Sequence, residues 1–243
     1  MKSNLGNLWE KQFMAFCSLK SFLEYASDEE AQIAYYKRLG MTHVDLTTNE
    51  EYRIETPQCV IDEWVEDNKS AFNIIMNQII VFLFTRYEFI IQDVVECVIC
   101  DNPEKILKLI KVYPEYESAI GFSLKEFIRF ESKEKYVRII SERLAKRILN
   151  GKPSDVFGRL RCILDVRNIS TNVLDELTTK RNKIVHEGET YEISIGELEK
   201  YYMELDNLLQ ALASTLKNAN IDVWHKSGIF QNDLGRLETK GES

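Results

Sequence analysis

The chain reads as an all-α protein, and three observations lead there. Glycine and proline are scarce, 10 and 4 in 243 residues, which leaves little material for the turns of an all-β fold. Helix-start signatures recur at Ser27-Asp28-Glu29-Glu30, Ser123-Leu124-Lys125-Glu126 and Ser194-Ile195-Gly196-Glu197. In each, the Ser oxygen can accept from the third backbone N–H while the Glu reaches back. A late segment keeps apolar residues at 3/4 spacing for about five turns: Leu198, Tyr202, Leu205, Leu209, Leu212 and Leu216.

Composition narrows the class further. Hydrophobic residues make up 44% and charged residues 29%, which excludes disordered, collagen-like and mucin-like chains. The length fits one large domain, or one with an appendage. Five cysteines without regular spacing argue against a disulfide framework and for a reducing, cytoplasmic setting. The N-terminus has no apolar core of a signal peptide, and the longest apolar run, 79–84, is too short to span a bilayer. No membrane association is expected.

Taken in order, residues 1–69 read as an N-terminal extension of unknown role. It holds two helices, at about 8–26 and 28–39, then a less regular stretch at 40–57 with short strands at 42–46 and 52–55. Thr56-Pro57 and Asn102-Pro103 place proline at a first helical position. Residues 71–100 are the most apolar, with 21 of 30 in the apolar class, so they form the central helix of a bundle. Asn73, Asn77, Thr85, Glu88, Gln92 and Glu96 fall on one stripe, the polar edge of that helix. Arg86, Glu88, Asp93 and Glu96 are too dense for a membrane span. The bundle extends over 70–216, and 217–243 is a loose tail.

One segment carries chemistry: Asn172 through Gly188, with Asn172 able to start a helix and Gly188 able to end it. Leu174, Leu177, Ile184 and Val185 form an apolar stripe, with Arg181 in its middle. Asn182 and His186, four apart, lie together on the flank, and Lys180 and Lys183 sit outside. A guanidinium on an apolar face is costly unless paired, and the ordinary explanation is a buried ion pair with Glu88.

Arg181-Asn182-Lys183-Ile184-Val185-His186, on the penultimate helix of a bundle, resembles the Arg-x4–6-His motif of the HEPN superfamily. The polar residue directly after Arg matches the version seen in its nucleases. Phe84-Thr85-Arg86-Tyr87-Glu88-Phe89 resembles the first core helix of such domains. The resemblance covers roughly 70–216, with 102–168 as added helical material. His186 is followed by Glu187-Gly188, so the Arg-x4-His-x-Tyr pattern of HEPN toxins paired with nucleotidyltransferase antitoxins is absent.

The resemblance implies an endoribonuclease that uses neither metal nor cofactor, of a toxin or phage-defence type. In it the ribose 2′-hydroxyl attacks the adjacent phosphate and leaves a 2′,3′-cyclic phosphate. Imidazoles titrate near ~6.5 in model peptides, so His186 is the candidate acid/base. Arg181 is the candidate phosphate stabiliser, Asn182 the orienter, and Lys180 and Lys183 the RNA-binding cations. One site supplies one histidine, and His43 and His225 lie far off in sequence without an Arg context. A homodimer apposing two copies of 181–186 would supply two Arg and two His, in line with the composite sites of the family. An antitoxin or regulatory partner is expected beside RNA.

Charge is uneven. Residues 124–161 hold eleven basic residues against five acidic, +6, leaving −14 for the rest of a chain of net charge −8. Such a band can guide RNA, although a solvated helix face with i,i+4 pairs explains it better. Cys97-Val98-Ile99-Cys100 has metal-like spacing but no second ligand pair, so it reads as core. Overall acidity favours a rival to the nuclease, a non-catalytic HEPN-like interaction or ligand-binding module.

Overall fold

The computed structural model describes residues 3–122, 128, 132–166 and 169–223. The Ser123-Glu126 signature, Lys125, Arg129, Glu126 and Glu131 of the basic band, Trp224, His225 and the tail after Val223 lie outside the described residues. The described chain is mainly helical, with one small two-stranded sheet. It is the all-α bundle that the sequence predicts.

Helix α1 (Leu5–Ala26) leads into α2 (Glu29–Leu39). Asp28 rather than Ser27 caps α2, accepting from Ala31 N, while the Ser27 hydroxyl donates to the Glu24 carbonyl of the preceding helix. Strands β1 (Met41–Asp45) and β2 (Glu50–Ile54) form an antiparallel hairpin, with Met41 opposite Ile54 and Asp45 opposite Glu50. Gly40 precedes it at φ 67°, where a Cβ would lie 2.9 Å from Arg53 Nε and 3.1 Å from the Ile54 carbonyl.

The long helix α3 (Gln58–Asp101) organises everything else. Its 44 residues extend about 66 Å at 1.5 Å per residue. The first half receives α2, where Asn68 Nδ2 donates to Gln32 Oε1 and to the Tyr36 hydroxyl. The second half is the core, with Ile80, Ile91, Val94, Val95, Cys97, Val98 and Ile99 fully buried. By length and composition α3 could cross a membrane, but half of its most apolar window is buried inside the protein. It is the core helix of a bundle. Cys97 packs as a small hydrophobe, its thiol pushed up to about 12 by burial.

Around α3 lie α4 (Lys105–Val112), the single turn α5 (Glu117–Ile120), α6 (Lys133–Ile148), α7 (Pro153–Ile163), α8 (Asn172–Asn182) and α9 (Ile195–Asn218). Ser132 and Ser194 cap α6 and α9 through the amides of Lys135 and Glu197. The apolar stripe of α9 is buried throughout, from Leu198 through Leu216. Helix α1 belongs to the same core, to which it contributes Leu5 and Leu23. Polar contacts also pin it down. Trp9 Nε1 donates to Asp206, Lys20 pairs with Glu199, and Ser3 Oγ donates to Asp93.

Three arginines of the described basic band are committed inside the chain. Arg138 pairs with Glu142, and Arg147 donates to Ser118 Oγ and the Glu115 carbonyl. Arg159 donates to the carbonyls of Ile148, the last residue of α6, and of Asn150 just past it. Arg147 and Arg159 tie helix ends together, whereas Arg138 pairs within its own helix.

Candidate functional site

The segment from Asn172 does not run as one α-helix to Gly188. Helix α8 ends at Asn182, and Lys183–Glu187 form a π turn closed from Gly188 N–H to the Lys183 carbonyl. Gly188 takes the left-handed conformation, φ 69° and ψ 18°, and turns the chain away. The wider turn changes which side chains meet. Along an ideal α-helix Arg181 and His186 would point about 140° apart. With i→i+5 closure the residue five places on returns toward the starting face.

Arg181 and His186 consequently stand side by side, with Arg181 Nη1 3.5 Å from His186 Nε2. The same Nη1 donates to Asn182 Oδ1 at 2.9 Å. The Arg181 guanidinium also lies over the Phe84 ring, 5.0 Å from its centroid, which holds the cation by cation–π attraction. Its Nε is buried without a protein partner. The expected ion pair with Glu88 is not formed, since no carboxylate among the described residues lies within 4 Å of Arg181. Burial nonetheless pushes the Glu88 carboxyl up, while the guanidinium charge pulls it down. Asn182 and His186 are exposed, Arg181 is half-buried, and Val185 beside His186 is 47% exposed.

Two clamps hold this turn. Lys180 Nζ bonds Glu197 Oε1 and stands over Tyr191 and Tyr201, while Lys200 bonds Glu176 at 2.8 Å. The Tyr201 hydroxyl adds contacts to Glu176 and Glu197, so α8 is tied to α9 by a compact charged cluster. The Lys200 ammonium and the Tyr201 hydroxyl both hold the Glu176 carboxyl below its usual range. Lys183 pairs with Glu189 at 3.2 Å, an exposed contact that pushes its ammonium up.

The second clamp is one that reading for chemistry missed. Asn77, buried on α3, donates to the Tyr191 carbonyl at 2.8 Å and accepts from the Tyr191 N–H at 2.9 Å. It fixes the loop after the π turn to the central helix. The signal was present, because Asn77 interrupts an otherwise apolar helix, but its partner cannot be read from spacing.

His43 sits on β1 beside Tyr52 and does not join the cluster. Among the described residues no three His, Cys, Asp or Glu side chains gather as a metal ligand set.

A family model described as RiboL-PSP-HEPN matches residues 61–218, with the Arg181–His186 turn inside it. The chain belongs to this HEPN family. No curated protein and no solved structure matches it. The RiboL-PSP-HEPN match begins near the start of α3 and ends with α9, so it takes in the central helix and every element that touches Arg181. HEPN domains are helical bundles, and this one carries its Arg at the end of α8 and its His on the π turn that follows, ahead of α9.

Proposed function

We propose that the chain is a metal-independent endoribonuclease of HEPN type, acting in the cytoplasm as a homodimer in a toxin or phage-defence role. The observation that carries this reading is the 3.5 Å approach of Arg181 Nη1, at the end of α8, to Nε2 of the exposed His186 on the π turn. A guanidinium with no carboxylate at ion-pair distance among the described residues, beside an accessible imidazole, can hold a phosphodiester and move its protons.

In the reaction, the imidazole of one His186 takes the proton of the ribose 2′-hydroxyl. The 2′-oxygen forms its bond to phosphorus, and the bond from phosphorus to the 5′-oxygen breaks. The second copy's His186 gives the leaving oxygen a proton, so the products are a 2′,3′-cyclic phosphate and a 5′-hydroxyl. Arg181, set by Asn182 and Phe84, faces the charge that builds on the non-bridging oxygens. Of the two lysines, Lys183 suits RNA better: its side chain is 41% exposed, against 20% for Lys180, which the Glu197 clamp holds. An antitoxin or regulatory partner would keep such an activity in check.

The test compares the protein with its His186→Ala variant on a mixed cellular RNA pool in EDTA, mapping cyclic-phosphate ends. Cuts should fall about 10²- to 10⁴-fold in the variant, the scale of a lost general acid or base. Equal cutting by both would mark a contaminant and remove the proposal. A second reading, a non-catalytic interaction module, is favoured by the Arg181 Nε buried without a partner and by the clamped Lys180. It predicts no cutting by either protein.

A further inference from the structure

We infer that a cationic groove at the opposite end of α9 from Arg181 binds a phosphate group, carried by an RNA strand or by a free nucleotide. The groove lies between the start of α4, the end of α7 and the end of α9, and encloses about 790 Å³. Small-ligand sites fall at ~300–1,000 Å³. The start of α9 holds Glu197, the Lys180 partner, and its end holds Asn218 at the groove. That stretch of helix is about 31 Å long at 1.5 Å per residue. The inference therefore stands apart from the ribonuclease reading.

Among the described residues its lining sets Lys105, Lys108 and Arg161 against one carboxylate, that of Asp165. Lys105 and Lys108 are three apart on one face of α4. Neither has a carboxylate at ion-pair distance among the described residues. Elsewhere in this acidic chain lysines do find partners, as in Lys20 with Glu199, Lys69 with Glu29 and Lys200 with Glu176. Two ammonium groups without an ion-pair partner among the described residues, set beside a guanidinium, repel one another more than the one Asp165 carboxylate offsets, and a bound anion relieves that repulsion.

Arg161 reinforces the case. It spends its Nε on the Val166 carbonyl at 3.4 Å, which directs the guanidinium while leaving its two Nη groups for a forked contact. Asn218, exposed at the end of α9, adds a neutral amide donor. A phosphate, with several oxygens and up to two charges, matches a fork, two point charges and an amide better than a lone carboxylate does.

The experiment measures binding, with Arg181→Ala as the background so that RNA stays whole. The probes are a labelled RNA decanucleotide, followed by fluorescence anisotropy, and ATP, followed by calorimetry. Lys105→Glu/Lys108→Glu should weaken at least one probe by about tenfold or more. Lys37→Glu/Arg38→Glu on α2, the same charge change at the other end of α3, should cost less than about twofold. For RNA, removing two phosphate contacts should also lower the salt slope by about 1.4. A loss for RNA alone identifies strand phosphates, and a loss for ATP identifies a nucleotide. The milder Lys105→Gln/Lys108→Gln variant repeats the comparison should the charge reversal disturb folding. Equal loss in the α2 control, or no binding of either probe before the groove is altered, overturns the inference.

Discussion

Asn77 and Tyr191 exchange two hydrogen bonds, at 2.8 and 2.9 Å, and so fasten the chain just beyond His186 to the buried face of the central helix. Asn77 is 2% exposed, so no water can readily replace its amide. Each backbone group left unpaired in such a place costs ~1–3 kcal/mol. Asn77→Leu should therefore lower stability by about 2–4 kcal/mol, read as a fall in the urea midpoint. Hydrogen exchange should rise most at Tyr191, because the loss is local to that clamp.

Gly188 presents a different kind of constraint. A Cβ there would meet nothing within 4 Å, so only the left-handed backbone disfavours a side chain. Gly188→Ala should cost about 1–2 kcal/mol, and Gly188→Asn clearly less, because Asn tolerates that conformation. Thermal melts of the two variants check the order. If alanine and asparagine cost the same, strain in the backbone is not what selects glycine.

The contrast between these two positions shows what the sequence carries. The apolar run on α3, the Ser194 cap and the Arg181-Asn182-His186 triplet all follow from local pattern, since each depends on neighbours a few residues away. The meeting of Arg181 with His186 does not. A 3.6-residue period groups Asn182 with His186 and sets Arg181 apart, whereas the π turn brings all three together. That turn is held by Asn77 and by the Lys180–Glu197 contact, both tertiary. Likewise Lys180 looks outward on an isolated helix, and only the packed α9 supplies its carboxylate. At the α2 start, Ser27 and Asp28 compete for one cap, and pattern alone does not decide between them.

Glu88 links the site to pH. Burial holds its carboxyl above the usual range, with Arg181 acting in the opposite direction. Between the pKa values of the unfolded and native states the native chain holds more of this proton than the unfolded chain does, so ionising Glu88 weighs against the native state as pH rises. Glu88→Gln should be more stable than the parent at pH 7. The two should converge below ~4.3, where the carboxyl is protonated in both states. Urea unfolding at pH 7 and at pH 3.5 measures this. A variant less stable at pH 7 would mean that attraction to Arg181 outweighs desolvation.

The proposed chemistry needs a second copy of the chain. On α3, Ile74, Gln78, Val81, Phe82, Thr85, Glu88 and Phe89 share one face at 3/4 spacing, next to the Phe84 ring that holds Arg181. Ile74, Phe82 and Phe89 are 58%, 41% and 50% exposed, and Val185 on the π turn is 47% exposed. Large apolar side chains gathered beside a polar site mark a contact surface. Phe82→Asp/Phe89→Asp should turn a dimer into a monomer by light scattering, with its melting point close to the parent's, because these side chains contribute little to the core. RNA cleavage should then fall with the dimer fraction, and in the parent it should recover with protein concentration. A monomeric variant that cuts at the parent rate would show that one Arg181 and one His186 suffice.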